Sequence, residues 1–314
     1  MRRFLALRLA MSAIAVVLAA AFTFALIHLS PTDPVTLALG DGASAEQRRA
    51  LSEQLGLNRS LAHQFGAWLG GALHGDFGQS IFTHQAVGAE LARRLPVTLS
   101  LVGGAVLLAL AIGLGLGFAA GLRRGSWADR VVTTVVSVGL AVPAFWLALL
   151  LSLAFAVKVR LFPVAGYTAL TQDPFQWARG LVLPCFALSL YSAAVIARHM
   201  RGAVVDVLGS PYVEAVRARG TSRALLVRRY VLKNALATVT PVIGIQVAVL
   251  LATSVVMERV FVLPGIGSLL VSAVISSDFP ILQGAILVVA TLVILVNLLV
   301  DVGLGLLDPR VRPQ

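Results

Sequence analysis

Charge is scarce in this sequence. Asp, Glu, Lys and Arg make up only 12% of its 314 residues, against ~25% in an average soluble domain. Hydrophobic residues make up 58%, and mean hydropathy is +0.91. That balance excludes a water-soluble globule of this size and an intrinsically disordered chain. Cysteine is almost absent. Cys185 stands alone, which excludes a disulfide-stapled secreted module and leaves a small packing residue in an apolar run. Catalytic signatures are missing as well: no H-E-x-x-H, G-x-S-x-G or Walker-type glycine loop occurs. The Gly113-Leu114-Gly115-Leu116-Gly117 run follows no strand and lies within an apolar stretch, where small residues let helices approach closely. His28, His63, His74 and His84 match no metal-ligand spacing. The chain reads as non-enzymatic, with no catalytic, cofactor-binding or metal-binding residue.

Long apolar runs are abundant. A membrane span needs about 20 such residues, because the hydrocarbon core is ~30 Å thick and a helix rises ~1.5 Å per residue. Six segments qualify: 9–29, 97–122, 131–157, 181–197, 239–257 and 281–300. The expected fold class is an all-α polytopic membrane protein with six transmembrane helices. The first run is too long for the apolar core of a signal peptide, and Ser30-Pro31 ends it without an A-x-A cleavage site, so it reads as a retained helix.

Net charge is +11, and the basic residues are unevenly placed. With the N-terminus, the 123–130 and 198–236 loops and the C-terminus on one side, that side holds 16 of the 25 Lys and Arg. By the positive-inside rule both termini are cytoplasmic. Region 31–96 then lies outside as a small helical region. It has Ser44 as a cap, a helix over 45–55 stopped by Gly56, a second helix over 61–73, and a turn at Gly75-Asp76-Phe77-Gly78. The remaining divisions are an N-terminal helix within 1–30, a five-helix core over 97–306 and a tail at 307–314.

None of the six runs contains Lys, Arg, Asp or Glu. Secondary transporters and pumps place such groups in mid-membrane, so this chain has no evident energy-coupling machinery of its own. Gln246 is a weak candidate to line a pore, with an interhelical hydrogen bond as the alternative. At the end of the fifth run, Glu258 and Arg259 are expected to pair or to gate.

The 198–236 loop is patterned. Ser210-Pro211 reads as an N-cap followed by proline at the first helical position, and Gly220 as a helix stop. Tyr212, Val213 and Val216 share an apolar face, and Glu214 and Arg217 are spaced to pair. Thr221-Ser222 caps a second helix through Arg228, Arg229 and Lys233. Two readings fit: a basic segment resting on anionic lipid, or a helix that docks in a groove of a soluble partner.

The stretch from Tyr212 to Gly220, followed by Arg228-Arg229-Tyr230-Val231-Leu232-Lys233-Asn234-Ala235, resembles the E-A-A…G loop of ABC importer permeases, with Val216 in place of the second alanine. The likeness is greatest to the dipeptide, oligopeptide and nickel branch, of the dipeptide-permease B type. It extends along the chain through His28-Leu29-Ser30-Pro31-Thr32-Asp33-Pro34, Leu55-Gly56-Leu57-Asn58-Arg59, Gly75-Asp76-Phe77-Gly78-Gln79-Ser80 and Arg94-Leu95-Pro96-Val97-Thr98-Leu99. Pro143-Ala144-Phe145-Trp146-Leu147, Leu161-Phe162-Pro163-Val164-Ala165-Gly166-Tyr167, Pro264-Gly265-Ile266-Gly267, Asp278-Phe279-Pro280 and Asp308-Pro309-Arg310 continue it in the family's order.

The resemblance implies a type I importer permease in the bacterial inner membrane, most readily for di- or oligopeptides. Nickel, a nickel chelate or glutathione is the alternative cargo. It implies a second, homologous permease as a heterodimeric partner, two cytoplasmic ATPases that use ATP and Mg²⁺, an extracytoplasmic binding protein, and no nucleic acid. It makes residues 211–220 the coupling helix, with Tyr212, Val213, Glu214, Ala215, Val216, Arg217 and Gly220 as its functional residues. Phe145 joins Gln246 as a weak pore-lining candidate. A self-contained channel or a membrane anchor is the reading from a different class.

Overall fold

The computed structural model describes residues 2–28, 34–39, 42–54 and 58–307. The motif residues 29–33, the 55–57 segment with the expected Gly56 stop, and the tail from 308 onward lie outside the described residues. Among the described residues the chain is helical, with one isolated bridge between Gln79 and Ala86. Among those residues five helices are long and apolar enough to cross a membrane, or six spans if one bent pair counts as one.

The first helix, α1 (Arg2–His28), carries Leu7, Met11, Ile14, Leu18 and Phe22 on an open surface and packs chiefly on the last helix. Short helices α2 (Pro34–Leu39) and α3 (Ala45–Gln54) follow. Ser44 caps α3 as expected, and Gln47 reciprocates. The Gln47 amide donates to Ser44 Oγ at 3.2 Å, and the Ser44 amide donates to Gln47 Oε1 at 2.9 Å. Helix α4 (Leu61–Leu73) has the expected bounds, opened by Ser60, whose hydroxyl accepts from the His63 amide. It meets α1 through a cluster of Phe24, Phe65 and Trp68.

Helix α5 (Val87–Leu122) begins ten residues before the apolar run and continues through Pro96. At 36 residues it is about 54 Å long, well beyond the hydrocarbon thickness. Helix α8 (Pro174–Leu208) is the most buried of the long helices. Asp173 starts it by accepting from the Phe175 and Gln176 amides, and Pro174 takes the first helical position. The 181–197 run is therefore the middle of a much longer helix.

Helices α5 and α8 lie backbone against backbone. An added Cβ at Gly113 would meet Ala193 O at 2.8 Å, and one at Gly117 would meet Ala197 O at 2.4 Å. This is the close approach expected of the glycine run, although Gly115 faces open space. Cys185 is buried at the same interface, its Sγ 3.4 Å from Leu101 O, in the packing role expected of it.

The third expected span, 131–157, is not one helix. Helix α6 (Trp127–Ala141) stops, and α7 (Ala144–Leu151) leaves at 99° to it, continuing as a π-helical segment Ser152–Lys158. Pro143 is the cause. It has no N–H to donate, and its ring forces Val142 out of the helical region to ψ 121°.

After α8 come α9 (Pro211–Ala218), α10 (Arg223–Leu225) with a π-helical segment Leu226–Val231, and the long α11 (Leu232–Val260). Helix α12 (Ile266–Ser276) is apolar but too short to span, and α13 (Phe279–Leu307) is the last. Hydrophobic cores join α5, α8 and α11 along their length, and a separate one joins the start of α5 to α12 and α13.

Candidate functional site

At one end of the bundle, α9 sits between the close of α8 and the start of α11. Proline at its first position presets the backbone, and Arg219 and Gly220 end it. Val213 and Val216 are buried against Leu226, Val207 and Tyr230. Tyr212 does not share that burial. It is 54% exposed and stacks edge-on against Tyr230 at 5.8 Å. Glu214, Ala215, Arg217 and Gly220 are exposed.

Three local expectations are corrected. Ser210 is the N-cap by position, but its hydroxyl donates backward to Val207 O at 2.7 Å, and no side-chain cap bond forms. Ser222 likewise opens α10 without a side-chain cap bond. Glu214 and Arg217 are both exposed and form no ion pair among the described residues. Gly220 has φ +75°, a left-handed geometry that glycine adopts without a Cβ penalty. The result is a short helix glued to the bundle by two valines and presenting a tyrosine, a carboxylate and a guanidinium outward.

The same end holds an ion pair that sequence reading missed. Arg201 of α8 donates to both carboxylate oxygens of Asp129 in the first turn of α6, at 2.5 and 2.8 Å. Asp129 also accepts from the Gly125 amide, and its own amide donates to Ser126 Oγ. Both residues lie outside the apolar runs as read from sequence, and only the fold brings them together.

At the other end Glu258 is fully buried. It does not pair with Arg259, which instead donates to Ser272 Oγ at 3.0 Å. Glu258 accepts from Thr98 Oγ1 at 2.7 Å and from the Ser268 amide at 2.8 Å, while the Ile266 amide donates to Thr98 Oγ1. Gly265 lies so close that an added Cβ would stand 2.2 Å from Glu258 Oε1. The 94–99 and 264–267 motifs thus converge on one carboxylate. Nearby, Ser80 Oγ donates to Asp278, which joins the 75–80 and 278–280 motifs.

The weak pore candidates separate. Phe145 is half exposed on the first turn of α7. Gln246 is buried in α11, and its Oε1 meets no donor among the described residues, so the interhelical hydrogen bond weighed for it is not made through that atom. Among the described residues no group of three or more His, Cys, Asp or Glu could hold a metal ion.

Long apolar helices around glycine-mediated contacts, with a short helix displayed between two of them, define a helical membrane protein. Residues 111–313 match the family described as "Binding-protein-dependent transport system inner membrane component", and residues 1–102 match its N-terminal companion. The chain belongs to that family: it is an ABC transporter permease and a multi-pass membrane protein. It is 39% identical over 313 residues to the di/tripeptide transport system permease protein DppB of Pseudomonas aeruginosa, with 93% of each chain covered. It is 34% identical over 314 residues to the dipeptide transport system permease protein DppB of Escherichia coli, covering 92% of this chain and 93% of that one. Among solved structures, an inward-facing form of the MetNI methionine ABC transporter superposes with a TM-score of 0.56 at 21% identity, covering 69% of this chain and 96% of that one. That likeness concerns the fold.

Proposed function

We infer that this chain is the membrane subunit of an ATP-driven, binding-protein-dependent importer of di- and oligopeptides in a bacterial inner membrane. Both termini and the α9 end face the cytoplasm, and region 31–96 faces outward, a reading supported by the distribution of Lys and Arg. The chain shares the translocation path with a second, homologous permease. An extracytoplasmic binding protein delivers peptide above, and two ATPases hydrolyse ATP with Mg²⁺ below. No cofactor is held by this chain.

The observation that carries this reading is α9. Buried Val213 and Val216 seat it on the bundle, while Tyr212, Glu214, Ala215 and Arg217 face outward from a helix of fixed length. A short helix held by its apolar side and displaying its polar side is suited to insertion into a groove of another subunit. ATPase motion is then transmitted through α9 into α8 and α11, which it joins. Peptide cargo is supported by the names of the relatives at 34–39% identity over nearly the whole chain.

Purification in mild detergent followed by mass spectrometry of the accompanying chains tests the assembly. Two ATPases and a second permease are expected. Uptake of a radiolabelled tripeptide by cells with and without the chain tests the cargo. A chain that purifies alone under conditions that preserve another transporter complex, or uptake that does not depend on it, overturns the reading.

A further inference from the structure

Helix α4 contains no Asp, Glu, Lys or Arg, and none of its residues is buried. Leu61, Phe65, Leu69 and Leu73 recur at every fourth position and form one apolar side, with Trp68 beside them. His63, Gln64, Ala67 and Gly70, polar or small, form the other. The polar groups find partners locally. His63 Nε2 lies 2.6 Å from Arg59 Nη1, and Gln64 Nε2 donates to Arg59 O at 2.9 Å. The apolar side is only half covered. Phe65 and Trp68 meet Phe24 of α1, but Leu61 is 58% exposed and Leu73 is 77% exposed. An open leucine row is unfavourable in water.

The depth of α4 says what covers that row. At 13 residues it is about 20 Å long, too short to cross a ~30 Å hydrocarbon core. Phe24, which its middle touches, lies close to the end of the membrane-crossing stretch Ala6–Ala25 of α1. The turn after α4 reaches α13, where a Cβ added at Gly284 would stand 3.4 Å from Phe77 Cβ. Gly284 lies near the start of the crossing stretch Phe279–Val300. The middle of α4 and the turn that follows it are therefore both level with the edge of the bilayer. Beside them α1 is open and apolar at Leu18 and Phe22, the surface a span presents to lipid.

We propose that α4 is an interfacial helix whose leucine row continues the lipid-facing surface of α1. Leu61, Leu69 and Leu73 dip into the outer leaflet at the headgroup–acyl boundary, and His63 and Ala67 face water. The bilayer then holds the 75–80 turn and, through the Ser80–Asp278 hydrogen bond, the start of α13. Docking on lipid is independent of the cargo. Only the choice of the outer leaflet rests on the orientation inferred from Lys and Arg.

The test introduces one cysteine at a time, by Leu61→Cys, His63→Cys, Ala67→Cys or Leu73→Cys, all at exposed positions, and attaches a nitroxide. Cys185 is buried, and the complex without an added cysteine supplies the background. Power saturation is measured in nanodiscs of phosphatidylethanolamine and phosphatidylglycerol, for the chain alone and for the assembled complex. Oxygen concentrates among acyl chains, whereas a nickel chelate stays in water. Labels at 61 and 73 should be relaxed severalfold more by oxygen than by the chelate, at a depth of about 5–10 Å. Labels at 63 and 67 should show the reverse, and the pattern should be the same in both preparations. Adding Leu73→Glu should shift the 61 label toward water, because a carboxylate at that depth is costly.

Equal chelate access at all four positions puts α4 in water and overturns the proposal. Oxygen access at 61 and 73 that disappears on assembly assigns the row to a partner subunit and overturns it as well. A membrane-impermeant maleimide added to spheroplasts should reach His63→Cys. Reaction only in inverted vesicles overturns the outer-leaflet assignment and the importer's orientation together, while the nitroxide pattern still decides whether α4 docks on lipid.

Discussion

Arg201 holds Asp129 by both carboxylate oxygens across 72 residues of chain. The Asp129 side chain is 5% exposed and that of Arg201 is 34% exposed. Removing one partner strands a nearly buried charge, which costs more than a surface pair yields. Because the arginine remains partly solvated, Asp129→Ala should destabilise the chain by about 1–3 kcal/mol. Thermal unfolding in detergent of D129A, R201A and the double variant checks this. The double variant should be little worse than either single one, and simple additivity would count against the pair.

Gly265 and Glu258 make a second coupled pair. The Cβ of Gly265→Ala would collide with a carboxylate that Thr98 and the Ser268 amide hold in place. Gly265→Ala should therefore lower the unfolding temperature in the wild-type background. It should do so far less once Glu258→Ala has emptied the space. Equal losses in both backgrounds would contradict the crowding seen here.

Much of this architecture was legible from sequence, and each exception has its own physical cause. Helix α3 and the start of α9 were readable because the Ser44 cap and Pro211 each act within one turn. The break at Pro143 was hidden because hydropathy measures how apolar a run is and carries no information about its direction. Helix α12 was missed because 11 residues fall short of a span. The partners of Glu258 and Asp129 were out of reach, since Thr98 is 160 residues from one and Arg201 is 72 from the other. At the α9 candidate site sequence placed the helix, while burial alone distinguished the seated valines from the displayed Tyr212.

That distinction gives a third prediction. Val213 is fully buried, so Val213→Ala should reduce stability by about 2 kcal/mol through lost apolar contact. Tyr212→Ala should leave the unfolding temperature nearly unchanged and reduce the ATPase that co-purifies with the complex. Loss of lipid association with full retention of ATPase would instead identify α9 as a membrane-surface helix.

Gly220→Ala is the fourth. At φ +75° an alanine is strained by roughly 1–2 kcal/mol, although open space surrounds the site. Insertion into the membrane should be normal, and substrate-stimulated ATP hydrolysis should fall. Normal stimulation in this variant would leave Gly220 as an ordinary helix terminator.

The meeting of α5 with α8 has a mechanical consequence. At Gly113 and Gly117 the α5 backbone lies directly against the Ala193 and Ala197 carbonyls and the Ile196 and Met200 side chains of α8, so neither helix can slide along the other without collision. The pair forms a single stiff strut. Deformation during a transport cycle is then left to the joints beside it: the 99° elbow at Pro143 and the overwide turns at 152–158 and 226–231.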